Sequence, residues 1–155
     1  MSYPCELKDL PLQPVLSVHT HTAIQNLPQV MGEAYGAIMA YLTELGEFPS
    51  GAPFVTYYNM DMQDLDIAAG FPISKSLPGR DKIEYAEIPA GQYATCLYTG
   101  PYNEIGKGYD ALVDWIKEHR LEPTGVAYEI YLNDPTQTHP DNLLTEIRFP
   151  ITLGE

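Results

Sequence analysis

Apolar and polar side chains alternate along residues 13–22, through Val15-Leu16-Ser17-Val18-His19-Thr20-His21, and again along 83–98. A period of two is the signature of a strand with one face buried. Between these stretches the period changes. Met31, Tyr35, Ile38, Leu42 and Leu45 recur at intervals of four and three, as do Ile105, Tyr109, Leu112 and Ile116. Each set draws one apolar stripe down a helix. Gly46 marks the end of the first helix, and Pro49 and Pro123 lie beyond the two helices as stops. Strand patterns return at 53–59 and 66–72, then at 126–132 and 144–151. The segment 74–82, SKSLPGRDK, reads as a polar linker.

The two halves are versions of one unit. A shift of 74 positions lays Gly32 on Gly106, Tyr35 on Tyr109, Ile38 on Leu112, and Tyr41 on Trp115. It also lays Pro49-Ser50-Gly51 on Pro123-Thr124-Gly125, Tyr57 on Tyr131, and Asn59 on Asn133. Four extra residues in the next loop bring Phe71-Pro72-Ile73 onto Phe149-Pro150-Ile151. Internal repetition of this kind defines the architecture. The expected fold is α+β: tandem β-α-β-β units, about 12–73 and 83–152, within one domain spanning 1–155. One helix cannot cover three strands, so a curved antiparallel arrangement with two main helices is expected, with a central cleft between the repeats for a ligand.

Charge narrows the function. Eight basic against twenty-one acidic residues give a net charge of −13. No basic stripe exists to neutralise phosphates, which argues against nucleic-acid binding. An acidic field draws in cations, although solubility alone would account for it equally well. Cys5 and Cys96 form no CxxC motif and read as two ordinary reduced thiols. The start of the chain lacks the basic and apolar regions of a signal peptide, and no apolar run is long enough to span a bilayer. A cytoplasmic location is therefore expected.

Glu129 is the position with the most chemical content. It sits in the strand pattern AYEIYLN, sharing a face with Tyr131, while Tyr128, Ile130 and Leu132 share the other. Its repeat counterpart is the apolar Val55. An uncompensated buried carboxylate costs on the order of several kcal/mol or shifts toward its neutral form. Two compensations are open: Arg148 on the neighbouring strand, or a cationic ligand, with tyrosine hydroxyls holding the empty site. Tyr41 and Trp115 lie roughly 60–100° off their helix stripes and suggest that each helix packs something besides its own sheet. Aromatic walls beside a carboxylate suit a flat organic cation. His19 and His21 share a strand face without a third ligand, and Asp61, Asp64 and Asp66 lack the glycine and terminal glutamate of a calcium loop, so no metal site is expected. No nucleophile elbow or phosphate loop is present, and no cofactor is expected.

Residues 91–151 carry a family resemblance. The Gly100-Pro101-Tyr102 turn, the strand Glu129-Ile130-Tyr131-Leu132-Asn133, Asp134-Pro135, and the closing Glu146-Ile147-Arg148-Phe149-Pro150-Ile151 resemble the GyrI-like small-molecule-binding family. The first half resembles it more loosely, through GEAYGAIMAYL and FVTYYN. Members of this family are effector-binding domains of AraC-type and MerR-type bacterial regulators, or stand alone; without a helix-turn-helix pattern, a stand-alone member is expected here. The resemblance implies SHS2-like repeats and binding of hydrophobic or cationic aromatic small molecules around a buried glutamate matched by Glu129. It implies an aromatic shell drawn from Tyr57, Tyr93, Tyr98, Tyr102, Trp115, Tyr131 and Phe149. Some stand-alone relatives resemble hydrolases that open cyclopropane-bearing natural products; Glu129 would then be the general base, and a raised pKa would help it. A third reading is a gyrase-inhibitor-like protein whose outer surface meets a protein partner.

Overall fold

The computed structural model describes residues 3–152. In chain order the elements are β1 (Cys5–Leu10), β2 (Gln13–Thr22), α1 (Leu27–Leu45), β3 (Phe54–Tyr57), β4 (Leu65–Pro72), β5 (Ile83–Ile88) and β6 (Gly91–Thr99). They continue with α2 (Gly106–Glu118), β7 (Glu122–Pro123), β8 (Ala127–Tyr131) and β9 (Leu144–Thr152). Every pairing described below is antiparallel, and the α+β class read from the repeat pattern is the one observed.

Two compact units divide the chain: Leu12–Pro89, and a second formed by the segment through Pro11 with everything from Ala90 onward. In the first unit β2 pairs both β4 and β5, and β3 pairs β4. In the second, β6 pairs both β1 and β9, and β8 pairs β9. The strand order is thus the same in both, with β8, β9, β6 and β1 matching β3, β4, β2 and β5. The continuous strand pattern at 83–98 breaks at Pro89-Ala90. Its first arm, β5, belongs with the first unit, whereas β1 belongs with the second. Sequence separation gives no hint of this exchange, because strand partners are chosen by long-range pairing.

The repeat equivalences recur as structure. Asn59 donates to the Asp64 carbonyl and accepts from the Asp66 amide; Asn133 does the same with Asn142 and Leu144. Each side chain ties the two ends of its hairpin loop together. Gly46 closes α1 in the left-handed conformation, φ 71°, as its position after the periodic run implies.

The packing of α1 departs from expectation. Its buried residues include Ala34, Ile38, Tyr41 and Leu42, whereas Leu45 in the last turn is exposed. Tyr41 is buried because the 74–82 segment folds back over it. Leu77 joins the same core cluster, Pro78 accepts the Tyr41 hydroxyl at 2.7 Å, and the Arg80 guanidinium lies 4.4 Å from the ring centre. Arg80 also forms a two-pronged pair with Glu44. The segment is a strap over α1 as well as a connection. A hydrogen bond of this kind contributes about 1 kcal/mol. Tyr41→Phe is expected to lower stability by about that amount in urea unfolding, with faster amide exchange concentrated in residues 74–82.

Candidate functional site

Strand register decides what meets Glu129. On β9 the partner of Glu129 is Ile147, and on β6 the partner of Ile147 is Cys96. Because side chains alternate along each strand, Glu129, Tyr131, Thr145, Ile147, Phe149, Cys96 and Tyr98 share the face against which α2 packs. Helix α2 lies close to this face: Gly108 is buried, and a Cβ there would come 2.9 Å from Ile147 Cδ1 and 3.0 Å from Tyr98 Cβ.

That close approach brings Tyr109 to the carboxylate. Its hydroxyl donates to Glu129 Oε2 at 2.5 Å, and the Tyr131 hydroxyl donates to Oε1 at 2.7 Å. Glu129 itself is only 7% exposed. Hydrogen bonds from neutral hydroxyls orient a carboxylate without cancelling its charge. Two more rings flank the pair, Tyr102 against Tyr131 with centres 5.5 Å apart and Phe149 against Tyr109 at 5.8 Å. Tyr102 is set by the turn before α2, where Gly100 takes φ 146° and the Tyr98 hydroxyl donates to the Pro101 carbonyl. A side chain at Gly100 would meet that hydroxyl at 2.8 Å. Burial, with the charges of Asp134 and Glu129, pushes the Tyr102 phenol above its ordinary value, so it remains a protonated donor.

Arg148, one of the two candidate partners for Glu129, serves another carboxylate. It donates to Glu146 Oε1 at 3.1 Å, while Lys8 donates to Oε2 at 3.0 Å. The reason is parity: Glu146 and Arg148 flank Ile147 on β9 and project to the opposite face from Glu129. Burial raises the Glu146 carboxyl, but the Arg148 and Lys8 bonds outweigh it and leave the group below the usual glutamate range. A cavity of about 230 Å³ opens on this same opposite face, lined by Glu6, Lys8, Thr95, Leu97, Leu132, Glu146 and Pro4. Its buried carboxylate is already matched by two cations of the chain, so we place the candidate site at Glu129 instead.

The proposed aromatic shell is divided by the structure. Tyr131, Tyr102 and Phe149 gather around Glu129. Tyr98 shares the face but is fully buried in the core under α2, its hydroxyl committed to Pro101. Tyr93 lies on the opposite face, edge-on to Tyr128 with ring centres 6.0 Å apart. Trp115 is about 120° around α2 from Tyr109 and stacks on His119 with centres 4.1 Å apart. Tyr57 is buried on β3 of the other unit. Tyr109, not among the expected shell residues, is the addition. Its place on the apolar stripe disguised it as core; the signal available was its position one helix away from a strand carboxylate that needed donors.

His19 on β2 meets Asp66 on β4 and His21 meets Asp64 in the loop just before β4, and no group of three or more metal-binding side chains occurs among the described residues. No described helix is long and apolar enough to cross a membrane.

The chain is a duplicated α+β domain with a buried, tyrosine-held carboxylate in its second unit. A family model for the GyrI-like small molecule binding domain matches residues 3–152, and the chain belongs to that family. Among solved structures it is similar to the EcmrR C-terminal domain (20% identity, TM-score 0.76, 98% of this chain and 99% of that one). It is also similar to EcmrR in a DNA complex, with 20% identity, TM-score 0.78 and 97% of this chain covered; there it spans 58% of the partner's length. A hydrolase from Listeria innocua gives 16% identity and TM-score 0.70 over 97% of this chain and 93% of that one. SAV2435 bound to tetraphenylphosphonium gives 11% identity and TM-score 0.68 over 98% and 94%. At such identities the likeness is one of fold. No curated protein sequence matches the chain.

Two expectations test this geometry. Tyr109→Phe removes a hydrogen bond to a buried carboxylate, worth about 1.5–3 kcal/mol, whereas Tyr35→Phe removes one to the Phe54 carbonyl, worth about 1 kcal/mol. Denaturant unfolding should rank the losses in that order. Glu146 has a folded-state pKa below its unfolded one, so its contribution is complete above about pH 4.3 and fades as pH falls through the folded value. Glu146→Gln should therefore flatten the acid side of a stability-versus-pH curve.

Proposed function

We propose that this chain is a multidrug-type binding protein for bulky aromatic cations, with Glu129 as the counter-charge and Tyr102, Tyr109, Tyr131 and Phe149 as the contacting rings. The observation that carries the reading is the buried Glu129 carboxylate, which accepts from the Tyr109 and Tyr131 hydroxyls, with the Tyr102 and Phe149 rings packed against those two donors. An organic cation gains there from charge attraction in a low-dielectric setting and from cation–π contact, while a neutral molecule of the same shape gains only the contact area. The net charge of −13 favours approach of cations at low ionic strength. The solved SAV2435 complex, a protein of the same fold, holds tetraphenylphosphonium, an aromatic cation.

A hydrolytic reading uses the same residues. A carboxylate positioned by tyrosine hydroxyls can act as general base toward water, and a hydrolase from Listeria innocua shares the fold. Turnover separates the two. Fluorescence titration with cationic, neutral and anionic aromatic dyes should show binding confined to the cations. Mass spectrometry of the same mixtures, with a cyclopropane-bearing alkylator included, should return every compound unchanged. Glu129→Gln should weaken cationic dyes tenfold or more, about 1.4 kcal/mol, and neutral ones far less. Equal weakening of both would remove the counter-charge role. A hydrated product lost in Glu129→Gln would make the chain an enzyme.

A further inference from the structure

Cys5 and Cys96 are far apart in sequence, yet they are direct partners in the β1–β6 ladder. The Leu97 amide donates to the Pro4 carbonyl at 3.0 Å, which makes Pro4 and Leu97 a hydrogen-bonded pair. In an antiparallel ladder the pairs alternate, so Cys5 and Cys96 form a non-hydrogen-bonded pair. Such pairs bring their Cα atoms to about 4.5 Å with both side chains on one face. Disulfides span Cα separations of about 4.4–6.8 Å, so the backbone already meets this requirement. The Cys5 thiol donates to the Tyr3 carbonyl at 3.5 Å, and neither cysteine is in a disulfide in this structure.

We propose that Cys5 and Cys96 are a reversible redox pair, oxidised by low-molecular-weight disulfides to a cross-strand disulfide that locks β1 onto β6. The two thiols have separate parts. Cys5 is partly exposed and is the point of entry, with burial raising its thiol above the ordinary value; Cys96 is fully buried, and burial pushes its thiol up to about 12. The Cys5 thiolate attacks the small disulfide, breaking its S–S bond and releasing one thiolate, which leaves a mixed disulfide on Cys5. Cys96 then loses its proton, and its sulfur attacks Cys5 Sγ and expels the second small thiol. Two protein thiols are oxidised by two electrons, and one small disulfide is reduced to two thiols. The second step waits on the buried proton, so closure should be slow near neutrality and quicken as pH rises.

The consequence follows from where β1 stands. It is an edge strand of its unit, held by β6 on one side. A cross-link between Cys5 and Cys96 also encloses the whole Leu12–Pro89 unit in one covalent loop. Closing so long a loop restricts the unfolded chain strongly. None of this rests on the ligand reading.

The full chain would be incubated with oxidised glutathione at mildly alkaline pH. Unfolding and alkylation of the remaining thiols would follow, and then non-reducing peptide mapping. The expected result is loss of both thiols, linked peptides carrying Cys5 and Cys96 from one chain, and reversal by dithiothreitol. The oxidised protein should melt about 5–10 °C higher than the reduced one, and the rise should be absent in Cys5→Ser, which keeps the buried Cys96. Separate glutathione adducts, links between two chains, or unreacted thiols would overturn the pairing. A linked protein with an unchanged melting temperature would overturn the clamp.

Discussion

A carboxylate buried on a strand sets the terms for everything around it in its unit. Glu129 cannot stay charged in that position without donors, and two of them come from different elements, Tyr131 on the same strand and Tyr109 on α2. For Tyr109 to reach, α2 must lie close to the sheet, and the buried Gly108 permits that contact over Tyr98 and Ile147. The Gly100 turn that launches the helix is braced by the Tyr98 hydroxyl and places Tyr102 beside Tyr131. The order of the aromatic site thus descends from one ionisable group.

The first unit shows the same scaffold without that group. Val55 stands at the Glu129 position, and the counterpart of Tyr109, Tyr35, gives its hydroxyl to the Phe54 carbonyl instead. The loop-tying asparagines, Asn59 and Asn133, are unchanged in role. Duplication therefore preserved the devices that hold the fold and let the chemistry diverge at one strand position. A second contrast lies on β9. Glu146 and Glu129 are both buried, on adjacent strands and opposite faces. Lys8 and Arg148 answer Glu146 with charge, whereas the Tyr109 and Tyr131 hydroxyls donate to Glu129.

The sequence by itself determined whatever depends on local periodicity and on self-similarity. The two helices, the strand patterns, the repeat equivalences and the α+β class all follow from spacing two, spacing three-and-four, and the shift between halves. That Glu129 would be a buried carboxylate in need of donors was legible because a charged residue stood where its repeat counterpart is apolar, and its contact with Tyr131 because the two share a strand face.

Tertiary structure alone decided the rest, since strand register and helix depth are set by contacts between distant segments. Register put Arg148 on the face of Glu146 and Tyr93 beside Tyr128, away from Glu129. Helix depth turned Tyr109 from a stripe residue into a carboxylate donor, and the strap at 74–82 turned Tyr41 from a surface aromatic into core. Pairing across units of sequence set β1 against β6 and brought two isolated cysteines opposite each other. A one-residue change in any of these registers would send each side chain to the other face, and no local pattern along the chain encodes that choice.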